Sequence, residues 1–286
     1  MAQENRAKII NIFIFEGEPI TVFRLHYLRD VVDLFLLIES RHNMLGAGKK
    51  NLQVDLYRDQ LMPFEMAGIL VQEIVNISVS HRRGWAHEKR LRDWGKRVAL
   101  KYMGTQDFLL IVSDADELPR KDIINNMANN FNEFKSGIHY LELHEFQYSF
   151  KWHSKDRVSD AYVISSDELK RSSNTSLSYL RYNSKKAVII KNAGWHCRYF
   201  FDPLQLWDKL QSSSLAPHPS FNSPVTGMSN YTILNESWIR TCILNGIDFR
   251  SSTANRKLFL YDGSYGYPNC TECPLIPQYQ RFNIPE

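Results

Sequence analysis

Three carboxylates fall within four positions at the end of an apolar run. Phe108-Leu109-Leu110-Ile111-Val112 is followed by Ser113-Asp114-Ala115-Asp116-Glu117-Leu118-Pro119. The apolar residues read as a buried strand, and Pro119 stops it. Acids at the carboxyl end of such a strand lie where open α/β sheets take their ligands. Asp114 and Asp116 are two residues apart, so an extended chain turns both the same way. That spacing suits one divalent cation held against a diphosphate. Carboxylate oxygens favour a hard cation such as Mg²⁺, Mn²⁺ or Ca²⁺ over a soft one. A lone Asp-x-Asp is more often a solvated turn, so the rest of the chain must carry the argument.

One reaction that needs these parts is transfer of a sugar from a nucleotide. The departing diphosphate requires a cation and fixed positive groups. Inversion at the anomeric carbon requires a carboxylate to take the proton of the acceptor hydroxyl. Arg24, Lys49, Lys50, Arg92 and Lys209 are candidates to neutralise phosphates. His196, directly after Gly194-Trp195, offers an imidazole to a metal or a hydrogen bond to the diphosphate; a packed structural histidine beside Trp195 is the equal alternative. Glu117 reads as an anchor behind the metal ligands, or as a charge at the start of the next helix. Glu145, Asp167, Glu168 and Asp202 are the candidate bases, and position alone does not choose among them.

The elements that must hold these residues alternate through the first half. The pattern predicts strands over 9–15, 33–39 and 69–75, and a helix over 20–32. It predicts a long helix over 85–103, ended by Gly104, that carries Trp85, Leu91, Trp94 and Val98 near one face. A helix over 121–135 and a strand over 138–150 follow. The second half is less regular: loops and short strands over 151–186, a short strand over 187–190 leading into Gly194-Trp195-His196-Cys197, and helices over 204–210 and 231–245. A Ser/Pro-rich loop, 212–224, is a candidate acceptor loop. This alternation predicts an α/β fold with a Rossmann-like, mostly parallel sheet flanked by helices and an irregular C-terminal part. We expect one domain, with a nucleotide-sugar half (8–120), an acceptor and catalytic half (121–263) and a tail (264–286).

The chain has 286 residues, 43% of them hydrophobic, enough for a substantial core. A net charge of +4 without a Lys/Arg block argues against a nucleic-acid partner. The N-terminal residues lack a signal-peptide pattern, and no apolar run is as long as a membrane span. The expectation is a soluble cytoplasmic protein if these residues are the whole of it, or a Golgi-luminal one if an N-terminal anchor precedes them. Of four cysteines, Cys270 and Cys273 form a Cys-x-x-Cys with no second pair at zinc-site spacing, so they read as ordinary thiols or a local disulfide. Five Asn-x-Ser/Thr sequons start at Asn76, Asn174, Asn230, Asn235 and Asn269.

Taken together, these motifs resemble glycosyltransferase family 17. The resemblance runs over roughly 8–250. It is carried by Arg24-Leu25-His26-Tyr27-Leu28 with Val31-Val32-Asp33, by Ile38-Glu39-Ser40, and by Gly84-Trp85 with Glu88 and Arg92. It continues in Asp114-Ala115-Asp116-Glu117-Leu118-Pro119, in Tyr148, Phe150 and Trp152, in Ala193-Gly194-Trp195-His196-Cys197, in Lys209, and in Trp238-Ile239-Arg240 before Gly246. It implies a GT-A type fold and inverting transfer from UDP-GlcNAc with Mn²⁺ or Mg²⁺, onto a glycan or glycoprotein and β-1,4 to mannose. On that reading Asp114, Asp116 and Glu117 are catalytic. Asp114, Asp116 and His196 hold the metal, and Arg24, Glu39, Lys50, Arg92, His196 and Lys209 bind the donor. The chain departs from the family pattern at Asn43-Met44-Leu45-Gly46, at Arg198 where Ser is usual, and in the 212–224 loop. Two other readings compete. One is a metal-dependent phosphohydrolase using the same acids, although Glu-Leu-Pro after the motif is not what haloacid dehalogenase-like enzymes carry. The other is a glycan-binding relative without activity.

Overall fold

The computed structural model describes residues 6–44, 46–77, 84–182, 188–212, 236–248, 258–261, 263 and 268. Strands β1 (Lys8–Ile14), β2 (Leu34–Ser40), β3 (Leu70–Val75) and β4 (Phe108–Val112) pair in parallel in the order β3-β2-β1-β4. These strands are rich in Ile, Leu, Val and Phe because helices cover both faces of a parallel sheet. Alternate residues part accordingly. Ile9, Phe13, Leu37 and Ile111 enter one core, and Ile10, Ile12, Ile38 and Val112 enter the other.

The helices of this half are α1 (Ile20–Leu28), α2 (Gln53–Leu56), α3 (Arg58–Met66) and α4 (Gly84–Met103). The predicted helix over 20–32 ends at Leu28, whose carbonyl is taken by the N–H groups of Val31 and Val32. Helices α2 and α3 had no counterpart in the sequence reading; Pro63 lies inside α3, a residue usually counted against a helix. Helix α4 lies close on the sheet because residue 95 is glycine: a Cβ there would stand 1.8 Å from Ile12 Cδ1.

Beyond β4 the sheet is mixed. β5 (Glu117–Pro119) leads to α5 (Lys121–Asn129) and α6 (Phe131–Phe134), two helices where one was expected over 121–135. Then come β6 (Ile138–Gln147), β7 (Trp152–Val158), β8 (Tyr162–Ser165), α7 (Ser166–Arg171), α8 (Leu177–Arg181), β9 (Val188–Arg198), α9 (Pro203–Ser212), α10 (Glu236–Asn245) and β10 (Phe259–Leu260). β8 runs antiparallel between β4 and β6, β9 parallel to β6, and β5 antiparallel on β9. The short strand expected over 187–190 is thus the start of an eleven-residue strand, and Gly194-Trp195-His196 lies within it. Tyr148, Tyr199, Phe201, Leu206, Ile239 and Cys242 form a third apolar cluster under the C-terminal elements.

One sheet therefore runs through both halves of the chain, giving the α/β architecture that was expected; among the described residues it is mixed rather than mostly parallel, with four parallel and five antiparallel pairings. No described helix is long and apolar enough to cross a membrane. The 213–224 part of the Ser/Pro-rich loop, residues 231–235, Cys270, Cys273 and the sequons at Asn230, Asn235 and Asn269 lie outside the described residues, as does nearly all of the tail. Asn76 and Asn174 are exposed.

Gly194 is required by close approach. A Cβ at this position would lie 2.1 Å from the Leu118 carbonyl oxygen and 2.9 Å from Pro119 Cα. Gly194→Ala is therefore expected to push β5 off β9 at a cost of about 1–3 kcal/mol. Urea unfolding checks this, and an unchanged midpoint would show that β5 can yield.

Candidate active site

The acids of the motif do not lie on an extended chain. β4 ends at Val112, and Asp114-Ala115-Asp116-Glu117 makes a turn closed by the Glu117 N–H on the Asp114 carbonyl, 3.1 Å. The turn sends the two aspartates to different partners, which corrects the expectation of a shared face. Asp114 meets Arg92 of α4 through Oδ1 and Arg181 of α8 through Oδ2. Asp116 faces His196 of β9, with Oδ1 3.7 Å from Nε2, and its carbonyl accepts from the Cys197 N–H at 2.7 Å.

Arg24 holds the turn from behind. Its side chain is fully buried, with Nε and Nη2 donating to Asn11 Oδ1 at 2.9 and 2.7 Å. Nη1 donates to the Asp114 carbonyl at 2.9 Å and also to the Glu117 carbonyl. A guanidinium so engaged braces the turn that carries the acids. Glu117 is also an anchor. Its buried carboxylate accepts from the Asp114 N–H at 2.7 Å and from both Arg181 Nη atoms at 2.9 Å.

Electrostatics follow from this pairing. Burial alone would raise the Asp114 pKa, but Arg181 and Arg92 outweigh it and hold the carboxyl well below the usual range. Burial pulls Asp116 the same way, and His196 overcomes it. Asp116 in turn raises the His196 pKa against the effect of burial. Both aspartates are thus charged at neutral pH.

The other expected donor residues divide. Arg92 is buried, bridging Asp114 and Glu88. Lys209 reaches from α9 to Glu18, bringing that helix over the strand ends. Glu39 is fully buried and accepts from the N–H groups of Gln53 and Val54, at 2.7 and 2.9 Å, and from Lys49 at 2.9 Å. It orders the start of α2. Lys50 is exposed; its neighbour Lys49 is half-buried and joins Glu39 to Glu16.

Glu16 carries a consequence for pH. Burial, with Glu18 beside it, pushes its pKa up to about 7, against Lys49 and Lys209. The folded state then keeps a proton that the unfolded chain gives up near 4.5. Stability from this group is full below that pH and is lost as pH rises towards 7. The thermal midpoint is expected to fall over this window, and Glu16→Gln to flatten the fall. A slope unchanged in the variant would assign it elsewhere.

Of the candidate bases, Asp167 and Glu168 lie on α7, which follows β8. Because β8 runs antiparallel to β4, with Ser165 opposite Leu109, they sit at the far end of the sheet from Asp114. Asp202 caps α9, accepting from the Gln205 N–H at 2.9 Å. Glu145 is at the site: it pairs in register with His196. Two residues were missed in the sequence. Arg181 sits in a stretch read as loop, and Asp248, buried beside Gln147, carries no motif at all.

Asp116 offers a carboxylate oxygen, which suits Mn²⁺ or Mg²⁺, and His196 an imidazole beside it. Asp114 does not fit as a third ligand while each of its oxygens meets a guanidinium. No group of three or more His, Cys, Asp or Glu side chains among the described residues could hold a metal ion. A cleft of about 620 Å³ beside α4, lined by Lys89, Lys96 and Lys170, holds none of these acids.

Charge-compensated acids at the end of a parallel strand of an α/β sheet lie where folds of the Rossmann-like class bind their ligands. The chain belongs to glycosyltransferase family 17, whose family model matches residues 1–256. No curated protein sequence matches the chain. Among solved structures it is similar to the crystal structure of GalNAc-T7 with UDP, GalNAc and Mn²⁺. That match has 11% identity and a TM-score of 0.34, over 51% of this chain and 24% of that one. It is also similar to S. aureus TarS 1–349, at 14% identity and a TM-score of 0.30, over 48% of this chain and 36% of that one. The chain thus spans about a quarter and about a third of those two chains.

Proposed function

We propose that this enzyme transfers GlcNAc from UDP-GlcNAc, with inversion, to a hydroxyl of a glycan or glycoprotein, β-1,4 to mannose, with a Mn²⁺ or Mg²⁺ ion. The observation that carries the reading is the pairing of Asp116 with His196, while arginines take up Asp114 and Glu117. That arrangement keeps one carboxylate and one imidazole for a cation and the diphosphate. A cation there offsets the negative charge of the departing diphosphate. Asp116 and His196 hold it, Arg92 and Arg181 keep Asp114 ionised and in place, and Lys209 brings α9 to the strand ends. The division into a donor half (8–120) and an acceptor half (121–263) is part of the same reading, supported by the parallel strands of the first and the mixed strands of the second.

The test is thermal stability with UDP-GlcNAc, UDP-Gal, UDP-Glc, UDP-GalNAc and GDP-Man, each with and without Mn²⁺. Binding to the native state raises its stability by mass action. A shift with UDP-GlcNAc that depends on Mn²⁺ is the expected result. A folded protein that responds to no nucleotide sugar would sink the reading.

A further inference from the structure

We propose that Glu145 is the general base of this transfer, positioned by Gln147, Arg198 and Asp248; the inference rests on the transferase reading above. The acids of the turn are committed elsewhere. Asp114 and Glu117 are bound by arginines, and Asp116 faces His196.

Strand register supplies the next acid. Glu117 of β5 pairs with His196 of β9, and His196 pairs with Glu145 of β6. Paired residues share a face, so Glu117, His196 and Glu145 form a row with about 5 Å between neighbours. Glu145 is therefore across His196 from Glu117, on the opposite side from the arginine-bound acids. The other face of the same strands, with Leu118, Trp195, Cys197 and Phe146, is apolar core.

Glu145 is 3% exposed, and polar groups surround it. Gln147 Nε2 donates to its Oε1 at 3.2 Å and to Asp248 Oδ2 at 3.2 Å. Arg198 Nη2 stands 3.6 Å from its Oε2. Glu145 is preferred over Asp248 because it sits on a central strand in register with His196, whereas Asp248 enters from the chain after α10.

In the reaction the acceptor hydroxyl gives its proton to a Glu145 oxygen. Its oxygen bonds the anomeric carbon as the bond from that carbon to the diphosphate oxygen breaks. The electron pair leaves with UDP, and the proton passes from Glu145 to solvent.

The test uses Glu145→Gln and Asp248→Asn in the full chain, with UDP-GlcNAc and Mn²⁺. Turnover is read as UDP released with water alone and with added mannose-containing N-glycans. Glu145→Gln is expected to lower kcat by about 10²–10⁴-fold, to leave KM for UDP-GlcNAc little changed, and to keep the Mn²⁺-dependent thermal shift with UDP-GlcNAc. Asp248→Asn, through a weakened Gln147, is expected to lower kcat less and to leave the same KM and thermal shift. The assignment is overturned if Glu145→Gln retains turnover, if it loses the donor shift, if Asp248→Asn is the more damaging change, or if the wild type binds donor and never turns over. A wild type that binds no nucleotide sugar would instead remove the transferase reading, and this assignment with it.

Discussion

Asp116→Asn is expected to abolish the Mn²⁺-dependent stabilisation by UDP-GlcNAc and to lower turnover by about 10²–10³-fold, the usual loss when one electrostatic partner of the reacting centre is removed. The side chain keeps its shape but loses the charge that Asp116 offers to a cation. Wild-type protein at a hundred times its donor dissociation constant would gain about 2.7 kcal/mol, so the missing shift is easily read. Asp116 faces His196 rather than an arginine and is only partly buried, so the fold is expected to survive. The control is the unfolding midpoint without ligand, which should move little. Full activity in Asp116→Asn would place the cation elsewhere or remove it from the reaction.

Arg181→Met is expected to destabilise the protein more than any change at the reacting carboxylate, by about 3–5 kcal/mol, or on the order of 10 °C. Arg181 is 3% exposed and meets Glu117 through two nitrogens and Asp114 through one. Its removal leaves Glu117, fully buried, without that cation. The cost comes from stranding the acid rather than from the worth of the pair. Arg181→Met with Glu117→Gln should therefore recover part of the loss in stability but not activity, since the turn would still lack its brace. A single variant as stable as wild type would show that Glu117 takes up a proton or a new partner at little cost.

The strength of the signal differed along the chain. Strands β1, β2 and β4 were legible because full burial demands unbroken apolar runs. Helix α4 was legible from its length and its stop at Gly104. The α2 and α3 helices were not, because they are short and carry Pro63 and few buried residues. β9 was read as short because Asn192 and Gly194 interrupt its apolar pattern, yet a glycine is what lets β5 pack against it. Within the site, Asp116 and His196 stood out by type and setting. Arg24 stood out as a charge and Glu39 only as part of the family resemblance, and the partners that bury them became visible only in the fold.

From residues alone came the α/β class, the acids at a strand end and the family to which their order belongs. Those depend on local pattern, and local pattern is written along the chain. Which acid is paired with arginine, which one faces His196, and which carboxylate stands across His196 depend on contacts between residues far apart in sequence. His196 has Glu117 on one side and Glu145 on the other because β5, β9 and β6 lie side by side. No spacing rule encodes that register. It follows from burying the apolar face of those strands, and the polar row on the other face is its consequence.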